Sequence, residues 1–252
     1  MLDFEERDDD IYVVTYPKSG TTLTQMLLYQ LFTDGNIDFK HIYDVSPWIR
    51  NDVLEGFPAR TIDHRRIIKS HDTYHEMPRV FKGKIIYVYR DGMDTATSLY
   101  QQNKDYKTIN SSFDDFLKNS FFGDGRMNWV QFSKEWFENK NKYEILYLSY
   151  DELTQNKKET IEKITKYCKL DNNQIDVDRV LERTSFDFMK KHEIKFGDQP
   201  PKEKRVFDNF IRNGKSGSGK ELFSDQQKEF YHKAHLENIT PLLDKVGLKE
   251  NK

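Results

Sequence analysis

A run of β-branched and aromatic residues, Ile11-Tyr12-Val13-Val14-Thr15-Tyr16, stops at Pro17 and gives way to Lys18-Ser19-Gly20-Thr21-Thr22. Such a run suits a strand. The residues that follow place Leu23, Met26, Leu27 and Leu31 at helical spacing up to about Phe32. A strand that turns through a glycine directly into a helix constrains this chain more than any other feature. Gly20 lets the backbone turn tightly and come close to a ligand. The first amides of the helix have no intrahelical partner, and the helix dipole favours negative charge beside them. Lys18 adds a point charge, and the hydroxyls of Ser19, Thr21 and Thr22 add donors. The unit predicts an anion-binding loop; the plainer alternative is an ordinary strand–helix turn with a Ser/Thr cap.

The alternation repeats along the chain. A strand over Arg66-Ile67-Ile68-Lys69 ends in Ser70-His71-Asp72. Another over Lys84–Tyr89 ends in Arg90-Asp91-Gly92, with a helix behind it through Tyr100. A further one over Glu144–Leu148 leads into Ser149-Tyr150-Asp151 and a helix to about Tyr167. Short, continuously apolar strands alternating with helices predict an α/β fold: one domain over residues 1–252, built on a parallel β-sheet flanked by helices. In such sheets ligands gather at the carboxyl ends of the strands. Lys18, His71, Arg90 and Tyr150 all fall just past strand ends.

Residues 195–219 differ, with Gly197, the Pro200-Pro201 pair, Gly214, Gly217 and Gly219 among basic residues. They read as a long loop, the kind that in a compact domain is often functional. Gly214 to Glu221 nearly matches a Walker A sequence, but Glu221 stands where Ser or Thr would hold magnesium, and no apolar strand precedes it. Ser224-Asp225-Gln226-Gln227 has the form of a capping box opening a last helix to about Val246.

A formal net charge of −2 argues against general nucleic-acid binding, so an anionic ligand must be held by a local site. The single cysteine, Cys168, sits in the apolar stripe of a helix with Ile164 and Tyr167 and reads as a small buried hydrophobe. One cysteine fits a reducing, cytoplasmic setting. No apolar run approaches the length of a membrane span, and the acidic start MLDFEERDDD is neither a signal nor a transit peptide.

At Tyr16-Pro17-Lys18-Ser19-Gly20-Thr21-Thr22 the chain resembles the 5′-phosphosulfate loop of the cytosolic sulfotransferase family. The resemblance continues in order. Arg66-Ile67-Ile68-Lys69-Ser70-His71 is similar to the family's catalytic Lys-x-His segment, and Arg90 through Ser98 to its 3′-phosphate segment. Leu146–Tyr150 and Thr184-Ser185-Phe186 resemble adenine-contacting segments, and Phe210-Ile211-Arg212-Asn213-Gly214 the loop over the 3′-phosphate. The resemblance implies a P-loop-like phosphosulfate site and transfer of a sulfuryl group from 3′-phosphoadenosine 5′-phosphosulfate (PAPS) to a hydroxyl of a small molecule. It implies Lys18 on the leaving phosphate, His71 as base and Lys69 near the transferred group. Lys18, Ser19, Gly20, Thr21 and Thr22 would bind the 5′ end of the donor. Arg90, Ser98, Arg212, Asn213 and Gly214 would bind its 3′-phosphate, and Tyr150, Thr184 and Phe186 its base. No metal is expected. Nor is a nucleic-acid or membrane partner, and the chain is expected to be a monomer or weak homodimer. Leu23 and Asn213 depart from the family, which commonly has tryptophan and lysine there, and Ser224-Asp225 stands where its dimer segment has a Thr-Val pair.

Single residues agree with that chemistry. An imidazole can take a proton from an attacking alcohol, and His71 lies two positions from Lys69 and beside an acidic residue. His232 and His235, three apart on the last helix, lack a third ligand and read as surface histidines. Tyr43, Trp48 and the other aromatics are core or loop anchors, some of which must line an acceptor pocket. The competing function is a P-loop-type, nucleotide-dependent kinase of a small molecule.

Overall fold

The computed structural model describes residues 5–33, 35–50, 59–77, 82–124, 128–171, 173, 175–197, 210–212, 214 and 216–249. The chain runs β1 (Asp10–Thr15), α1 (Thr21–Phe32), β2 (Thr61–Ile62), β3 (Arg65–Ser70), β4 (Lys84–Tyr89), α2 (Gly92–Asp105), α3 (Phe113–Phe116) and α4 (Trp129–Glu138). It continues through β5 (Ile145–Ser149), α5 (Tyr150–Gln155), α6 (Lys157–Cys168), α7 (Val177–Arg183), α8 (Phe186–Lys191), α9 (Asp225–Asn238) and α10 (Thr240–Leu243).

The sheet order is β2-β3-β1-β4-β5. β1 pairs in parallel with β3 and with β4, and β5 pairs in parallel with β4. Among the described residues only β2 is antiparallel, joined to β3 through Asp63 and His64 at φ 44° and 68°. Its brevity hid it from the sequence reading. The period of two along the strands sends Tyr12, Val14, Ile68, Ile85 and Tyr87 to one apolar layer, where α4 contributes Trp129, Phe132, Trp136 and Phe137. Ile11, Val13, Ile67, Ile86 and Val88 enter the opposite layer with Leu27, Leu28 and Leu31 of α1 and Ile161, Ile164 and Cys168 of α6. Cys168 is buried as expected, and desolvation pushes its thiol up to about 12.

Two expected helices are interrupted. The helix after β5 breaks at Asn156, which serves both as the end of α5 and as the start of α6. The last helix stops at Asn238 because Pro241, in the first turn of α10, has no amide to continue the ladder. Ser224 and Gln227 do form a capping box at the start of α9. His235 corrects the sequence reading: it is buried, within hydrogen-bond reach of the Tyr89 hydroxyl at 2.8 Å and of Thr240 Oγ1 at 3.1 Å. His232 is exposed.

Residues 217–221 are held against the start of α2 by one buried carboxylate. Gly217 N–H donates to Asp94 Oδ2 at 2.8 Å, and Gly219 N–H to Oδ1 at 2.7 Å. Thr97 Oγ1 donates to the Gly219 carbonyl at 3.2 Å. Contact is close enough that a Cβ on Gly219 would sit 2.5 Å from the Asp94 amide nitrogen. These glycines, part of the near-Walker stretch, spend their amides on the protein itself. Asp94→Ala should leave both amides without acceptors, at about 1–3 kcal/mol each. Hydrogen exchange at Gly217 and Gly219 should then quicken ~10-fold or more, with β1 and β4 unchanged. Unaltered exchange at the two glycines would dismiss the clamp.

Candidate active site

The loop after β1 folds as its residues suggest. Ser19 N–H donates to the Tyr16 carbonyl at 3.2 Å, with Lys18 at φ 69° and Gly20 at φ 101°. Gly20 is required on two counts. Its backbone is left-handed, and a Cβ there would lie 2.9 Å from the Tyr150 ring. The helix α1 begins at Thr21 with no side-chain cap and no acidic residue in its first turn. Ser19 is 1% exposed, and its hydroxyl has no hydrogen-bond partner among the described residues. A buried orphan hydroxyl beside uncapped helix amides and a lysine suits an anionic ligand.

His71 follows the last residue of β3, directly across from the end of β1. Its Nδ1 lies 2.8 Å from the Thr15 carbonyl. A carbonyl only accepts, so Nδ1 carries the proton and Nε2 keeps its lone pair. Thr15 Oγ1 is in turn 2.6 Å from Thr21 Oγ1, which links the strand end that holds His71 to the first residue of α1. Asp72 does not orient the imidazole, although the sequence puts it next door. It is buried facing away, paired with Arg50 and accepting from Ser70 Oγ at 3.0 Å. Desolvation first, and then the charges of Lys69 and Lys18, holds the His71 imidazolium down to about 3; the Thr15 hydrogen bond opposes them. His71 is therefore a neutral imidazole at neutral pH.

Lys69 is buried on the same strand end, 4.6 Å from the ring centres of both Tyr43 and Trp48, with its ammonium donating to the Tyr43 hydroxyl. Residues 47–49 run alongside β3 here, Lys69 N–H donating to the Pro47 carbonyl at 2.8 Å and Ile49 N–H to the Lys69 carbonyl at 2.9 Å. That pairing brings Trp48 edge-on to His71 at 5.2 Å. The sequence names both aromatics without locating them, because nothing local in the chain signals the pairing.

Past β4, Arg90 donates from Nη1 to the Lys18 carbonyl at 2.9 Å, stacks over Tyr150 at 4.1 Å and lies 3.9 Å from Asp94 Oδ2. Arg212 donates to the Ser98 carbonyl at 3.0 Å. Burial pushes the Arg212 guanidinium down; the charge of Asp105 opposes this and that of Arg90 adds to it. The two arginines from distant segments thus share one region with Ser98. Gly214, at φ 59°, packs so closely on Phe186 that a Cβ would meet its ring at 2.5 Å. Thr184 is buried, its hydroxyl donating to the Val180 carbonyl at 2.7 Å. Asn213 lies outside the described residues.

A cleft of about 680 Å³ joins these parts, lined by Lys18, Gly20, Thr21, Thr22, Lys69, His71, Arg90, Ser98, Tyr150, Thr184, Phe186, Arg212 and Gly214. Of the residues expected at the site and described, only Ser19 is not on its wall. Phe210, beneath the Lys18 ammonium at 4.4 Å, and Lys157 also face the cleft; Phe210 was named from sequence only as part of its loop, and Lys157 was not singled out.

Residues 8–242 match the sulfotransferase domain family. The chain is similar to an amine sulfotransferase of Oryctolagus cuniculus, 30% identical over 203 residues that make up 75% of this chain and 65% of that protein. It is also similar to sulfotransferase 1A1 of Canis lupus familiaris, 30% identical over 248 residues, 91% of this chain and 83% of the relative. Among solved structures, retinol dehydratase in complex with androsterone and the inactive cofactor PAP shares the fold at a TM-score of 0.81 and 19% identity. That likeness covers 98% of this chain and 84% of the other. A mouse sulfotransferase complexed with PAP gives a TM-score of 0.70 at 24% identity, over 94% and 86% of the two chains. A family match over nearly the whole chain, joined to 30% identity with a curated member, makes this protein an enzyme of the sulfotransferase family.

Proposed function

We propose that this sulfotransferase, one domain over residues 1–252, moves the sulfuryl group of PAPS onto a hydroxyl of a small-molecule acceptor, with His71 as general base. The observation that carries this reading is the Nδ1–H of His71 on the Thr15 carbonyl, which leaves Nε2 unprotonated, with its lone pair free, on a residue at the wall of the cleft. The residues present fit the donor. Lys18, Ser19, Gly20, Thr21 and Thr22 would hold its 5′ end, where the orphan Ser19 hydroxyl gains an acceptor. Arg90, Ser98, Arg212, Gly214 and Asn213 would hold the 3′-phosphate, the arginines by paired donors. Tyr150, Thr184 and Phe186 would hold the base. The Thr184 proton is committed to Val180, so its lone pairs suit an amino group.

The donor, when bound, supplies an electrophilic sulfur joined to a phosphate leaving group. His71 Nε2 accepts the proton of the acceptor hydroxyl. Lys18 and the amides of α1 stabilise negative charge where it grows on the phosphate side. Lys69, steered by Tyr43 and Trp48, supplies positive charge beside the base. The solved relatives hold androsterone and retinol, both carrying a hydroxyl on an apolar body, and an acceptor of that kind suits Tyr43 and Trp48 near His71. We place the enzyme in the cytoplasm, as a monomer or weak homodimer acting without nucleic acid or membrane. Its single cysteine and near-neutral charge support this.

Removing the base should cost far more turnover than donor affinity. His71→Ala should lose ~10² to 10⁴ in kcat while adenosine 3′,5′-bisphosphate binds about as in the wild type. Turnover near the wild-type level would take His71 out of the mechanism.

The depressed imidazole carries a pH signature. A base already neutral at pH 7 stays competent as pH falls through 6.5, and is protonated only on approach to its lowered pKa. In kcat/KM, which reports the free enzyme, activity should hold from about pH 8 to about pH 5. A limb centred on the ordinary histidine value would contradict the desolvated environment.

Selection at the 3′-phosphate can be read by competition. Adenosine 5′-monophosphate leaves both guanidinium groups without their phosphate, at about 1.5–3 kcal/mol for each charged hydrogen bond lost. The wild type should therefore prefer adenosine 3′,5′-bisphosphate by roughly 10²-fold or more. Arg212→Ala should lose most of that preference. Equal binding of the two nucleotides by the wild type would remove this site.

A further inference from the structure

Lys157 opens α6 on the wall of the cleft, in a place that suits a lysine poorly. A cation in the first turn of a helix opposes the macrodipole. Asn156 before it provides no side-chain cap to soften the effect. Burial holds the Lys157 ammonium below the usual lysine range, with no neighbouring charge contributing. Among the described residues the ammonium makes one hydrogen bond, to the Thr184 carbonyl at 2.6 Å, and no carboxylate comes within ion-pairing distance. An ammonium has three donors, so the others need acceptors from elsewhere.

The neighbourhood narrows what those acceptors are. The cations suited to phosphate cluster on the loop after β1 and around Ser98, through Lys18, Arg90 and Arg212. Lys157 is tied instead to Thr184, whose hydroxyl has given its proton to Val180 and can only accept. Donor and acceptor side by side match the edge of an adenine, where a ring nitrogen lies next to an amino group.

We propose that Lys157 is a specificity-determining residue for the donor's base: its ammonium donates to a ring nitrogen of the adenine, while Thr184 Oγ1 accepts from the neighbouring amino group. This rests on the donor assigned above. The lysine is retained at the helix start because the ligand supplies the acceptors that the protein withholds. Recognition of the base then depends on a directed hydrogen bond as well as on contact with Tyr150 and Phe186.

Calorimetric titration of purified wild type and Lys157→Met with two ligands tests the assignment. One is adenosine 3′,5′-bisphosphate; the other is methyl ribofuranoside 3,5-bisphosphate, which keeps both phosphates and has no base. Loss of a charge-assisted hydrogen bond should weaken the adenosine ligand about ten-fold or more in the variant. The abasic ligand should change less than about two-fold, and the thermal midpoint should not fall, since the substitution removes a cation from a helix start. Equal weakening of both ligands would mean that Lys157 acts only as a distant charge on the phosphates and would overturn the proposal. Unchanged binding of both would overturn it too. Failure of the wild type to bind adenosine 3′,5′-bisphosphate would instead remove the donor assignment, and this inference with it.

Discussion

The parallel pairing of β1 with a strand on each side is the constraint on which the site depends. Val14 is level with Ser70 of β3, and Thr15 with Val88 of β4. With the three carboxyl ends nearly flush, the residues that follow them open onto one cleft, whatever their distance in sequence. Lys18, His71 and Arg90 meet because backbone ladders are in register, and side-chain recognition only refines the arrangement. A slip of one residue in either pairing would turn every strand side chain to the wrong layer and carry one of these three residues away from the others.

Thr15 is where that register becomes chemistry. Its carbonyl fixes the tautomer of His71, and its hydroxyl reaches Thr21 at the start of α1. A carboxylate is the familiar partner for orienting an imidazole, and it would also favour the protonated form. A neutral carbonyl orients the ring without adding a negative charge, so burial and the nearby lysines keep the imidazole unprotonated. The acidic neighbour in sequence, Asp72, is spent on Arg50 and Ser70, which tie down the chain just past His71. Trp136 adds to this by donating from Nε1 to the Asp72 carbonyl at 3.1 Å.

Much of this was legible in the sequence, since the informative signals were local. Apolar runs ending at Pro17, Ser70 and Arg90 marked strand ends, and strand ends in a parallel sheet mark the site. The Gly20 turn and the Ser224–Gln227 box carried their own geometry. What escaped depended on contacts between distant segments. The stretch 47–49 joins β3 through backbone hydrogen bonds that any residues could make, so Trp48 gave no hint of meeting His71 edge-on. His235 read as a surface histidine because no third metal ligand lies near it in sequence; Tyr89 from β4 and Thr240 beyond the helix make its burial possible. Lys157 resembled any solvated lysine until the helix break at Asn156 turned it toward Thr184.

The bare start of α1 has a consequence for the life of the protein in a cell. With neither a capping side chain nor an acidic residue in the first turn, the helix beside the central strand leaves its first amides to be met by a bound anion. A ligand that binds only the folded chain stabilises it by mass action, by about 2.7 kcal/mol at a hundred times its dissociation constant. Differences of that size alter how often a chain is exposed to proteolysis. A ligand held at this loop would thus stabilise the folded chain as well as occupy the cleft.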